Sequence, residues 1–265
     1  MSNIEEINHQ MADELSLSGH LLELRRRMVI SAVAVFLCTI IAFVFHRLIF
    51  EILMVPAMGF ESLRDNRLVF TQVTEMIGIT MKISLMGGLA LSLPIILYQA
   101  VMFVSPGLMP REKRYLYALF PGAIISFGAG VAFGYFVLLP PALNFLLTFG
   151  SDIAEPMIRV GNYINIVITL LFWLGVSFEA PLVMFFLSKM GIITPRVLAK
   201  QRRYALVVAF ILGALITPTF DPINQSLVAI PIILLYELGI WLARLARLGR
   251  RKDVIGANES GSEPV

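Results

Sequence analysis

Four long apolar runs dominate the sequence, and each could cross a lipid bilayer as a helix. They cover residues 28–50, 75–104, 114–149 and 161–189. A helix needs about 20 apolar residues to cross a hydrocarbon core of about 30 Å. Because backbone N–H and C=O groups find no water in lipid, the spanning segments are expected to be helices, whose hydrogen bonds are internal. The sequence therefore predicts an all-α polytopic membrane protein.

Two further apolar runs, residues 204–217 and 226–243, are shorter and are separated by the turn-rich stretch TPTFDPINQ. Either both cross the membrane, giving six transmembrane helices, or they form a re-entrant hairpin after four spans. We favour six spans, and both alternatives place the two termini on one side. Because about 16 helical residues extend only about 24 Å, both segments are expected to thin the bilayer locally.

A single transmembrane domain, residues 28–245, is expected between an N-terminal segment, 1–27, and a C-terminal tail, 246–265, which is predicted to be disordered. The chain is 58% hydrophobic and 15% charged. This balance excludes an ordinary soluble domain. The basic residues form short clusters beside apolar runs, so binding of nucleic acid is not expected.

Basic residues are distributed unequally between the two ends of the predicted spans. Most of the 21 lysine and arginine residues lie on the side of the termini, whereas the opposite side carries only Arg47, Arg64, Arg67 and Arg159. The positive-inside rule therefore predicts that both termini are cytoplasmic. Lys82 lies within the second span and is expected to extend its amine toward the outer face.

Prolines interrupt the predicted spans repeatedly. They are Pro94, Pro121, Pro140, Pro141, Pro181 and Pro231. Each can remove a helical hydrogen bond and bend the helix axis. We therefore expect the helices to form a concave, cupped arrangement rather than a straight bundle. No internal repeat is evident, which argues against the usual architecture of secondary transporters.

Two carboxylates lie well inside predicted spans, away from the span ends. Glu179 lies deep in the fourth span, and Glu237 lies within the last one. A carboxylate within a bilayer costs about 2.5–3.5 kcal/mol, so Glu179 is expected to face protein or trapped water. We interpret it as an intramembrane polar site, although a structural hydrogen bond to a neighbouring helix is an alternative.

Two other carboxylates, Glu23 and Glu112, lie on the cytoplasmic side within strongly basic segments. Each has a simple structural explanation. Glu23 is at i,i+4 spacing from Arg27, which suits a surface ion pair, and Glu112 lies near the start of a predicted helix, where the helix dipole favours a negative charge. Together, however, the two acids suit a cationic ligand held between them.

The sequence predicts neither an enzyme nor a cofactor. Its histidines, His9, His20 and His46, have no partners at metal or catalytic-triad spacing, and Cys38 lies alone in an apolar run. No phosphate-binding loop of the form GxxxxGK[ST] is present, so nucleotide hydrolysis is not expected.

Five segments resemble, in order and spacing, blocks of the TatC family, the multispanning subunit of the twin-arginine protein translocase. They are HLLELRRR, YQAVMFVSPGLMPREKR, FGAGVAFGYF, GVSFEAP and ITPTFDPINQSLVAIPIILLYELG. Together they extend over roughly residues 20–245. One departure is Val101, which stands where family members often carry tryptophan and which affects the expected packing of that loop.

The resemblance implies a receptor for exported proteins, usually folded, whose N-terminal signal peptides carry two arginines. By the same likeness, Glu23 and Glu112 would receive the two guanidinium groups. The residues implied to shape this site are Arg25, Arg27, Phe103 and Pro106. A guanidinium group can donate two parallel hydrogen bonds to a carboxylate, whereas lysine offers a point charge.

The resemblance also implies partners and a location. Single-span subunits of the TatA and TatB type would pack along the two short C-terminal spans, near Thr217, Pro218 and Gln225. The protein would lie in the bacterial cytoplasmic (inner) membrane, associate with further copies of itself, and export its cargo by means of the proton gradient. An ion-coupled solute transporter that uses Glu179 is the alternative function.

Overall fold

The computed structural model describes the backbone of residues 2–59, 68–69, 71–104, 110–148, 158–217 and 221–259. Within these ranges it describes the side chains except at 2–18, 20, 58–59, 104, 110–118 and 248–259. The helices are α1 (Ser2–Val44), α2 (His46–Met54), α3 (Glu75–Val104), α4 (Pro110–Phe133), α5 (Leu139–Thr148), α6 (Val160–Lys189), α7 (Pro195–Lys200), α8 (Arg202–Ile216) and α9 (Pro222–Glu259). A 3-10 turn, Val55–Gly59, follows α2, and a π-helical turn, Gly134–Leu138, joins α4 to α5.

Five described segments are long and apolar enough to cross a membrane. They are Leu21–Val44, Glu75–Phe103, Leu119–Thr148, Val160–Lys189 and Pro222–Arg247. The prediction of an all-α membrane protein with several spans is therefore confirmed. The remaining candidate, α8, has 15 residues and extends only about 22 Å. Six complete spans and the side on which the termini lie stay predictions.

The last span differs from the sequence prediction, because it is not short. It begins at Pro222 rather than at 226, and its apolar part contains 26 residues. Asp221 precedes the helix and accepts a hydrogen bond from the backbone N–H of Asn224 at 2.7 Å. Asp221 is thus the N-cap of this helix and Pro222 is its first residue. These are the positions that aspartate and proline favour at the start of a helix. Of the two C-terminal segments predicted to be short, α8 alone is short, and the length of α9 favours a crossing over a re-entrant limb.

The first span also ends earlier than predicted. The helix breaks at Phe45, and α2 begins as a separate helix at His46, so residues 28–50 are not one span. The ring nitrogen Nδ1 of His46 lies 2.6 Å from the carbonyl oxygen of Phe43, next to the break. At the chain ends, α1 includes residues 2–27, and α9 continues to Glu259, so most of the tail predicted to be disordered is helical.

Consecutive long helices run in opposite directions. Arg27 of α1 contacts Gln99 of α3, and Thr39 lies against Gly88. These two pairs make α1 and α3 antiparallel. The basic clusters therefore lie at one shared end of the bundle, which we call the basic end. It contains Arg27, Lys189, Arg202 and Arg244.

The main apolar core lies toward the opposite end of the bundle, where α6 contributes most of the buried residues. Tyr163, Val167 and Leu174 of α6 are at most 2% exposed. Two smaller clusters lie at the basic end. In one of them Val101, the departure from the family pattern, packs with Leu119 and Phe186. This cluster joins the end of α3 to α4 and to the end of α6.

Candidate functional site

Glu23 lies on α1 at the basic end and is paired with Arg27. The Nε and Nη2 atoms of Arg27 donate to Oε1 of Glu23 at 3.0 and 2.5 Å. The side chains of Arg27 and Glu23 are 18% and 33% exposed, so the pair is only partly open to its surroundings. The ion pair expected from the i,i+4 spacing is therefore present. It shows that this carboxylate accepts a guanidinium group.

A third side chain, Gln99 of α3, completes the contact. Nη1 of Arg27 donates to Oε1 of Gln99 at 3.2 Å. Sequence reasoning missed Gln99, because nothing in the sequence relates residues of two separate apolar runs. The available signal was its polarity near the end of a run, within the quoted block that begins YQAVMF.

An open cavity of about 540 Å³ surrounds this pair. Its lining residues are Leu22, Glu23, Arg26, Arg27, Ile30 and Gln99. Arg25 and Arg26 are exposed beside it. The site therefore combines one carboxylate with several guanidinium groups, in a space that admits another side chain.

The structure describes only part of the remaining predicted site. Phe103 is half-buried, one turn beyond Gln99 on α3. Pro106 lies outside the described residues.

Glu112 belongs to the first turn of α4, but its side chain is not among those described. Leu119, two turns further along α4, packs with Val101 of α3. Because of this contact, the start of α4 lies at the same end of the bundle as Glu23.

Glu179 is buried in α6 and is only 3% exposed. Neither of its carboxylate oxygens has a hydrogen-bond partner among the described residues. The helices α4 and α6 are in close contact next to it. The hydroxyl of Ser126 donates to the carbonyl of Phe178 at 2.6 Å, and Gly130 lies directly against Gly175. The predicted burial in protein is thus seen, and the backbone N–H of Phe127 on α4 interacts with the carboxylate, so a structural contact with a neighbouring helix stays an alternative.

Glu237 forms an ion pair with Arg202. Nη2 of Arg202 donates to Oε2 of Glu237 at 2.8 Å, and the two side chains are 50% and 36% exposed. This pair joins the first residue of α8 to α9. A structural role is therefore sufficient to explain Glu237.

The predicted partner-contact residues lie at the other end of α8. Nε2 of Gln225 donates to the carbonyl of Phe210 at 2.8 Å, and the hydroxyl of Thr217 donates to the carbonyl of Gly213 at 2.8 Å. Pro218 lies outside the described residues. The structure thus brings Thr217 and Gln225 to the same end of the α8–α9 pair, and both already donate hydrogen bonds within the chain.

The described residues contain no group of three histidine, cysteine, aspartate or glutamate side chains that could hold a metal ion. What the described site does show is a carboxylate, Glu23, that accepts hydrogen bonds from a guanidinium group.

The profile of the family described as Sec-independent protein translocase protein (TatC) matches residues 19–231. The chain belongs to the TatC family. The TatC protein of Carboxydothermus hydrogenoformans is 40% identical over 233 residues, which are 88% of this chain and 94% of that protein. The TatC protein of Aquifex aeolicus is 42% identical over 234 residues, which are 88% of this chain and 96% of that protein.

A crystal structure of the twin arginine translocase receptor TatC aligns with a TM-score of 0.75 at 43% identity, covering 86% of this chain and 99% of that one. The family resemblance read from the five sequence blocks is confirmed. This TatC protein is a multi-pass membrane subunit of a twin-arginine, Sec-independent protein translocase.

Proposed function

We propose that this TatC protein is the receptor subunit of the translocase and binds the twin-arginine signal peptides of folded proteins for export. The observation that supports this is the guanidinium of Arg27 on the carboxylate of Glu23, inside an open cavity. A carboxylate that accepts one guanidinium group in this position has the geometry to accept another. Glu112 is the second proposed acid, at the start of α4.

Discrimination between arginine and lysine follows from the geometry of the donors. Guanidinium donates two parallel hydrogen bonds to one carboxylate, and an ammonium group cannot reproduce this fork. Such charged hydrogen bonds are worth about 1.5–3 kcal/mol each. Phe103, Pro106 and Arg25 are proposed to orient the peptide around the two acids, and Arg27 is proposed to shape the site through its contact with Glu23.

The test measures binding of a fluorescent signal peptide to purified protein in lipid nanodiscs. We expect a peptide with Arg-Arg to bind more tightly than the same peptide with Lys-Lys. Alanine at Glu23 or at Glu112 should remove most of that difference. Equal binding of the two peptides by the unaltered protein would refute the receptor function, and photocrosslinking from position 112 would show directly whether the peptide lies there.

We further propose that the basic end faces the cytoplasm, which places both termini and the signal site on that side. The basic residues shared by this end support the orientation. Single cysteines on a Cys38→Ala background, placed at Arg196 and at Val73, would test it by labelling intact cells with a membrane-impermeant maleimide. Labelling of position 196 from outside would contradict the orientation.

Partner subunits of the TatA and TatB type are proposed to pack along α8. This helix exposes apolar residues and is short for a bilayer core of about 30 Å, so a partner helix can cover it and relieve the mismatch. Thr217, Pro218 and Gln225 mark the proposed contact. A crosslinker at Ile211 of α8 should capture such partners. The same crosslinker at Phe36 of α1, which is similarly exposed, serves as the control.

Export is proposed to depend on the proton gradient, with self-association of this subunit in a larger complex and Glu179 as the intramembrane polar site. The burial of a carboxylate where α4 and α6 pack closely together supports a role beyond packing. No observation in the described part of the chain favours the ion-coupled solute transporter. Loss of export on addition of an uncoupler, at unchanged ATP, would support the proposed energy source.

A further inference from the structure

Arg27 has the same chemical group as the proposed ligand and already occupies the proposed acceptor. Two of its nitrogen atoms donate to one oxygen of Glu23, and the third donates to Gln99. Among the described residues, nothing donates to the other carboxylate oxygen of Glu23. The empty site therefore holds an internal guanidinium group in place of a bound one.

A signal arginine that arrives at Glu23 must share this carboxylate with Arg27 or displace it. Sharing places two guanidinium groups around one carboxylate, and the exposed Arg25 and Arg26 add further positive charge nearby. Guanidinium groups gathered around one carboxylate repel each other because their charges are alike. A two-point hydrogen bond from the ligand uses both carboxylate oxygens, so it requires Arg27 to release Oε1.

Gln99 gives the released Arg27 a place to remain. Its amide oxygen is a neutral acceptor on α3, already 3.2 Å from Nη1 of Arg27. A neutral acceptor holds the guanidinium less strongly than a carboxylate does. Arg27 can therefore swing away from Glu23 without losing its last partner, and it can return when the ligand leaves.

We propose that Arg27 is an internal competitor for the signal arginine and that Gln99 is an affinity-determining residue which accepts Arg27 when it is displaced. This inference rests on the proposed receptor function. It explains how a receptor with a strongly basic rim binds a cationic peptide reversibly. Competition from Arg27 lowers the affinity for the signal peptide. Gln99 limits this loss of affinity because it accepts the displaced Arg27.

The test compares Arg27→Gln with Arg26→Gln in the signal-peptide binding assay in nanodiscs. Both substitutions remove one positive charge from the same cavity, but Arg26 is exposed and has no partner among the described residues. We expect Arg27→Gln to bind the Arg-Arg peptide roughly two- to five-fold more tightly than Arg26→Gln, the range of one exposed ion pair. Equal or weaker binding by Arg27→Gln would overturn the inference.

Gln99→Met tests the second half, since methionine is similar in size and offers only a weak acceptor. It should weaken binding of the Arg-Arg peptide in the unaltered protein and have no effect in the Arg27→Gln background. An equal effect in both backgrounds would show that Gln99 acts without Arg27. Elution of each variant as a monodisperse nanodisc complex verifies its folding.

Failure of the inference and failure of the receptor function are distinguishable with Glu23→Ala. If this variant keeps the full preference for Arg-Arg over Lys-Lys, the proposed site itself is refuted. If it loses the preference while Arg27→Gln binds no more tightly than Arg26→Gln, only the competitor is refuted.

Discussion

Replacing Gly130 by alanine should force α4 away from α6 and destabilise the protein. A Cβ atom at this position would lie 2.8 Å from Cα of Gly175 and 2.9 Å from the carbonyl oxygen of Leu174. Both of these are backbone atoms, so no side-chain rotation relieves the contact. Ordinary contacts begin near 3.4 Å. The two helices must therefore separate locally by about 0.6 Å, which loses dispersion contacts along the interface.

The magnitude follows from two opposing effects. Overpacking of a well-packed interface costs about 1–3 kcal/mol. Alanine in a helix gains about 1 kcal/mol over glycine. Gly128 lies in the same sequence block but is exposed, and a Cβ atom there meets nothing within 4 Å. Gly128→Ala therefore isolates the helix effect, and the difference between the two variants, about 1–3 kcal/mol, isolates the overpacking.

Thermal unfolding in detergent micelles measures this difference. Trp173 of α6 packs on Phe172, which contacts Phe127 of α4, so its fluorescence reports on the interface. For a chain of this size, each kcal/mol shifts the midpoint by about 2–4 °C. We expect Gly130→Ala to unfold at a lower temperature than Gly128→Ala. Equal midpoints would refute the conclusion that the close approach of α4 and α6 requires glycine.

Three other changes probe the remaining contacts. Tyr163→Phe removes a buried hydroxyl that donates to the carbonyl of Leu53 in α2 at 2.9 Å, and this loss should cost about 1 kcal/mol of stability. Tyr135→Phe removes an exposed hydrogen bond to the carbonyl of Ile52 and should cost less. The thermal midpoints of the two variants measure the difference. A double-mutant cycle between Arg202 and Glu237 should give a coupling below about 1 kcal/mol, because the pair is exposed. Glu179→Gln should retain signal-peptide binding but reduce export in a complementation assay, and normal export would exclude a role for its charge or its proton.

Sequence patterns predicted contacts that are local and missed those that are not. The pair of Glu23 and Arg27 followed from i,i+4 spacing, since residues four apart on a helix are neighbours. Gln99 could not be found in this way, because its contact with Arg27 depends on how α1 packs against α3. Lys82 shows the same limit. Its amine donates to the amide oxygen of Asn165 near the start of α6, a partner that depends on how α3 packs against α6 and is not visible in the sequence.

The ends of the spans were predicted less well than their existence, for identifiable reasons. Hydropathy continues through Phe45, so the break between α1 and α2 leaves no sign in the apolar pattern. At α9, the residues Asp221 and Pro222 suit both a turn and a helix start. The bond from Asn224 to Asp221 resolves this ambiguity in favour of the helix start. Glu179 was placed correctly because a carboxylate in an apolar run has few stable positions other than the protein interior.

The short helix α8 cannot adjust its depth independently, because both of its ends are fixed to α9. At its start, Arg202 pairs with Glu237. Near its end, the carbonyl oxygen of Gln225 lies so close to Gly213 that a Cβ atom there would be 2.8 Å away. Since α9 is long enough to span the bilayer and α8 is not, the mismatch of about 8 Å with the hydrocarbon core must be absorbed by lipid or by a neighbouring helix. If α8 crosses the membrane as predicted, the proposed single-span partner would relieve this mismatch by covering the outer surface of α8.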